Sequence, residues 1–99
     1  MDKLTLIQAM GFEILHVTKK NTNGPDIVAK KSGRAYSFEV KKVSIKKSKS
    51  VQCPPVEPNR INDDFIIIEF NSGYVLIEPM SDHLKNCSPS GVRTFGGLY

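Results

Sequence analysis

The chain has 99 residues, of which 39 % are apolar and 24 % charged, enough for one domain with a modest core. No apolar run approaches the roughly 20 residues needed to cross a bilayer. The formal net charge of +4 is uneven: residues 19 to 49 hold ten Lys and Arg against Asp26 and Glu39 alone, a balance of +8, and the rest carries four against eight, or −4.

The opening stretch MDKLTLIQAMGFEIL begins with an acid, and Gln8 and Glu13 interrupt its apolar residues, so it does not read as a signal peptide. KLTLIQAM (3–10) places apolar side chains at 4, 6, 7 and 10, which predicts a short helix with one buried stripe, ended by Gly11. FEILHVT (12–18) predicts a strand, with His16 in register with Phe12 and Ile14 and therefore buried or half-buried. KKNTNGP (19–25) is a turn. DIVAKK (26–31) and RAYSFEVKKV (34–43) predict two strands of a hairpin closed at Ser32-Gly33.

Residues 44–60 form a basic, proline-containing connection, long for so small a domain and expected to be a functional or mobile loop. DDFIIIEF (63–70) predicts the most apolar strand, and NSG turns it into YVLIEPM (74–80). SDHLKNC (81–87) predicts a helix capped by Ser81. The tail SPSGVRTFGGLY has no readable conformation. The expected architecture is a single α/β (α+β) domain over 1–99, with one mixed sheet and the order α-β-β-β-loop-β-β-α.

Side chains alternate along a strand, so Ser37, Glu39 and Lys41 share one face of theirs, while Tyr36, Phe38 and Val40 share the other, core-facing one. A hairpin closed at 32–33 pairs residues whose numbers sum to about 65, which sets Asp26 opposite Glu39 with Cβ atoms about 4.5–5.5 Å apart. Two carboxylates so close repel unless a cation joins them. Lys41 is one candidate cation and a divalent metal is another, and hard carboxylate oxygens suit Mg²⁺. Hydrolysis of a phosphodiester uses this set: a metal polarises the phosphate and an ammonium offsets the growing charge. The plainer reading is a wet hairpin face with ordinary surface charges.

Pro25-Asp26, twelve further residues, then Glu39-Val40-Lys41 resembles the PD-(D/E)XK nuclease superfamily, which includes type II restriction enzymes, Holliday-junction resolvases, some homing endonucleases and small phage nucleases. The resemblance covers about residues 3–43 and implies a restriction-endonuclease-like core. It implies Asp26, Glu39 and Lys41 as catalytic residues. The metal, Mg²⁺ with Mn²⁺ able to substitute, would be held by Asp26, Glu39 and the Val40 carbonyl. Where many relatives carry an acid on the first helix this chain offers only Gln8, which points to one metal rather than two. The family's second helix is replaced by a stretch containing Pro54, Pro55 and Pro58.

The implied function is a small metal-dependent DNA endonuclease, structure-selective or of low sequence specificity and working as a homodimer. The alternative is a catalytically inactive relative that binds nucleic acid or regulates another nuclease. Lys31, Arg34, Lys42, Lys46, Lys47 and Lys49 are the candidate nucleic-acid contacts. Cys53 and Cys87 lack metal-site spacing and are expected as free thiols in a cytoplasmic protein, a disulfide between them being the other reading. His83 has no acidic or nucleophilic partner in sequence.

Overall fold

Residues 27–43 form two neighbouring strands of the central sheet. The computed structural model describes residues 2–18, 24–44 and 50–96. Residues 19–23 of the expected turn, Lys46, Lys47 and Lys49 of the expected basic loop, and residues 97–99 lie outside that set.

The elements are α1 (Lys3–Ala9), β1 (Glu13–Val17), β2 (Ile27–Lys31), β3 (Arg34–Val43), β4 (Ser50–Cys53), β5 (Phe65–Phe70), β6 (Val75–Pro79), α2 (Met80–Lys85) and β7 (Arg93–Gly96). Five strands form one mixed sheet in the order β1-β2-β3-β5-β6, antiparallel except where β3 and β5 run parallel. The expected mixed α+β class on a central sheet is what the chain adopts. The structure adds a second, two-stranded sheet of β4 and β7. One of its strands lies in the expected loop and the other in the tail.

The β2–β3 hairpin closes where the turn residues dictate. Ser32 has φ 53° and Gly33 φ 78°, the paired positive values of a tight two-residue turn, and Lys31 faces Arg34 across it. α1 starts from Asp2, whose carboxylate accepts the Thr5 amide at 2.8 Å, and ends at Met10 with Gly11 at φ 93° just beyond. α2 departs from expectation: it begins at Met80 after Pro79, and Ser81 lies inside it rather than capping it. Pro79 has no amide of its own to leave unpaired, and the Met80 amide that follows donates to the Asp64 carbonyl at 3.0 Å.

A parallel β3–β5 pair needs a crossover, and here residues 44–64 supply it, carrying β4 over one face of the sheet. β5 is consequently buried on both faces. Its Ile67 joins Ile7, Phe12, Ile27, Ala29 and Phe38 beneath α1. Ile66, Ile68 and Phe70 join Val43 on the other face, covered by Val51, Cys53 and Phe95 of the small sheet and by Met80. Each fully buried Ile contributes about 1.5–3 kcal/mol.

His16 is exposed, not half-buried. A bulge between Ile14 and His16 shifts the β1–β2 register by one, so His16 pairs with Val28 while Ile14 pairs with Ala29. Both cysteines are free thiols, Cys53 buried. Among the described residues no helix is long and apolar enough to cross a membrane.

Candidate active site

Strand register brings the two carboxylates together. Ile27 pairs with Phe38, and the same register carried one residue further sets Asp26, just after Pro25, against Glu39. Asp26 Oδ2 accepts the Val40 amide at 2.8 Å, which ties the start of β2 to the middle of β3. Glu39 is only 6 % exposed, beside Ile66 on β5. Burial, a hydrogen bond with the Asp26 carboxyl and the charge on Asp26 together push Glu39 up to about 8. The nearby Lys41 ammonium pulls the other way but does not prevail.

Lys41 lies on the same face, two residues on. Its Nζ donates to both carboxylate oxygens of Glu57, at 2.8 and 2.9 Å, and this bond holds Glu57 below the usual carboxylate range. Arg60 reaches back to the buried pair, with Nε 3.8 Å from Glu39 Oε2. The arrangement therefore contains five ionisable groups, three from the β2–β3 hairpin and two from the crossover. Among the described residues there is no group of three or more His, Cys, Asp or Glu side chains placed to hold a metal ion. A divalent ion here would rest on the Asp26 and Glu39 carboxylates and a main-chain carbonyl such as that of Val40.

The remaining expected DNA contacts sit elsewhere. Lys42 is exposed on the opposite face, where with Lys3, Thr18, Asp26, Val40 and Glu69 it lines a cavity of about 500 Å³. Lys31 donates to the Met10 carbonyl at 2.8 Å and lies 5.2 Å from the centre of the Phe12 ring. Arg34 pairs with Asp64 at 3.5 Å and stacks 4.7 Å from the centre of the Tyr36 ring. Both flank the hairpin turn, about 17 Å of strand away from Asp26 at roughly 3.3 Å per residue. Lys46, Lys47 and Lys49 fall outside the described residues.

Asp63 and Asp64 shape the turn into β5. Asp64 accepts the Ser37 amide at 3.0 Å and returns its own amide to the Ser37 carbonyl at 3.0 Å. Burial raises Asp63, and Arg60 opposes that shift. His83, without a partner by sequence proximity, is fully buried with Nδ1 3.3 Å from Glu78 and 3.1 Å from Arg93, which itself pairs with Glu78.

Sequence reasoning missed Glu57 and Arg60. Their signal was available in principle: they are the only ionisable residues between Cys53 and Ile61, in a crossover that must pass over the Glu39 face.

No protein-family model and no curated protein sequence matches the chain. A search of solved structures finds similarity to a bacterial homing endonuclease, I-Ssp6803I, with a TM-score of 0.71 at 13 % identity, covering 97 % of this chain and 68 % of that one. At that identity the likeness is one of fold.

Proposed function

We propose that this chain is a metal-dependent endonuclease acting on DNA, with Asp26, Glu39 and Lys41 as its catalytic residues. The observation that carries the reading is the placement of Glu39: a carboxylate buried against a second carboxylate, on strands that also present Lys41 on the same face. A purely structural site would avoid that like-charge pair, because each carboxylate raises the cost of ionising the other. The fold shared with a homing endonuclease and the spacing Pro25-Asp26…Glu39-Val40-Lys41 support the same reading.

The donor set suits Mg²⁺, or Mn²⁺ in its place: two hard carboxylates and the Val40 carbonyl, with waters and a substrate phosphate for the rest of an octahedron. When bound, the ion supplies Lewis acidity toward the scissile phosphate. The Asp26 and Glu39 carboxyls lie within hydrogen-bond reach of each other, and Asp26 accepts the Val40 amide. Lys41 offers an ammonium to the charge that grows on the phosphoryl oxygens or to the attacking water. A homodimer would place two such sites on the two strands of a duplex.

The second reading, a catalytically silent DNA-binding relative, draws on Lys41 being held by Glu57. Incubation of supercoiled, branched and single-stranded DNA with Mg²⁺ or Mn²⁺ separates the two. The nuclease cuts, while Glu39→Ala and Lys41→Ala bind without cutting. Binding by the wild type with no cutting on any of these substrates sinks the enzyme and leaves the silent relative.

A further inference from the structure

We infer that Arg60 is a DNA-phosphate-contacting residue of this site, an inference that rests on the nucleic-acid reading above. The backbone around it is fastened on both sides. Its amide donates to the Glu57 carbonyl at 2.8 Å, and its own carbonyl accepts the Asp63 amide at 3.1 Å. From that double turn the side chain extends inward, only 17 % exposed, to the carboxylate pair.

At 3.8 Å from Glu39 Oε2 the Arg60 Nε stands beside that carboxyl group but beyond hydrogen-bond reach. Glu39 thus leaves the guanidinium's donors unengaged. The neighbouring ammonium differs, since Lys41 is already bonded to both oxygens of Glu57. Among the described residues, Arg60 is the cation beside the Asp26–Glu39 pair whose planar fork makes no hydrogen bond, and a phosphodiester offers that fork two non-bridging oxygens in matching geometry. The fixed backbone means little ordering entropy is lost when such a ligand binds. Lys31 and Arg34, by contrast, tie the turn end of the hairpin to Met10 and Asp64.

The alternative is that Arg60 only offsets the charge on Glu39, and salt dependence separates the two roles. Binding of a short fluorescent duplex to the full chain, in Ca²⁺, is measured across a potassium chloride series. Each phosphate contact contributes about 0.9 to the slope of log K against log [salt]. Arg60→Gln is therefore expected to bind roughly tenfold more weakly at low salt and to flatten the slope by about one. Arg60→Lys keeps the slope, because the charge remains.

A measurement on the unaltered chain guards against a variant that misfolds: bound DNA should protect Arg60 from phenylglyoxal, read by mass spectrometry. An unchanged slope in folded Arg60→Gln, equal labelling of Arg60 with and without DNA, or no binding of the duplex by the wild type overturns the inference. A wild type that binds but never cuts defeats the nuclease reading separately, and the slope still decides Arg60.

Discussion

Two clusters of buried or half-buried charge lie in this small domain, and they are built on opposite plans. Glu78, His83 and Arg93 close on one another where β6, α2 and β7 meet: one carboxylate, one guanidinium, and a histidine that burial holds in its neutral form. That set balances. Asp26 and Glu39 instead set carboxyl against carboxyl, and the nearest ammonium is drawn aside to Glu57. Burial of charge alone does not mark a functional site, because paired opposite charges are a common structural device. One acid buried against another, with the cations at arm's length, is the informative pattern.

The strongest way to break this comparison is to neutralise one acid in each cluster. Glu39→Gln is expected to cut DNA at least ~10³-fold more slowly, since a metal-holding and charge-stabilising group is lost. Glu78→Gln should change cutting only as far as it changes the fraction folded. If it slows the chemical step of fully folded protein as severely, the balanced cluster is no mere structural device.

Stability should show the reverse ranking. Glu78→Gln removes the carboxylate that pairs with Arg93 and is expected to cost about 3 kcal/mol in urea unfolding. Glu39→Gln should cost nothing at neutral pH. Mn²⁺ at a hundred times its Kd should stabilise the wild type by about 2.7 kcal/mol through mass action, with EDTA reversing the shift. The same ion should leave the melting temperature of Glu39→Gln unmoved.

The two clusters also predict opposite responses to pH in the metal-free protein. Glu39 titrates near 8 when folded and near 4.5 when unfolded, so across that window the unfolded chain sheds a proton that the folded chain keeps. Its contribution to stability is complete below that window and fades as pH rises through it. Burial lowers His83, so the unfolded chain protonates first as pH falls below about 6.5, and stability declines toward acid. Melting curves of Glu39→Gln should flatten the alkaline limb, and those of His83→Gln the acid limb. A swap of those assignments would contradict the picture. The smallest effect is Arg34→Ala, an exposed pair worth under ~1 kcal/mol, since Asp64 keeps its bonds to Ser37.

Much of the hairpin and its site was legible from residues alone. Ser32-Gly33 set the turn, the turn set the register, and the register placed Asp26 against Glu39. His16 was misplaced because a bulge leaves no mark in an alternating pattern, and one extra residue reverses every side chain after it. Ser81 looked like a cap because Ser caps helices often, yet Pro79 began this one.

What the sequence determined by itself was local: period-two alternation, the two-residue turn, and the burial of a strand as apolar as FIIIEF. Only the tertiary structure decided that Val51 would lie against Phe95, forty-four residues on, and that the crossover would bring Glu57 to Lys41 and Arg60 to Glu39. The reason is physical. Backbone geometry propagates from neighbour to neighbour, so it leaves a periodic trace, whereas an ion pair between distant segments depends on how one layer packs over another and leaves none.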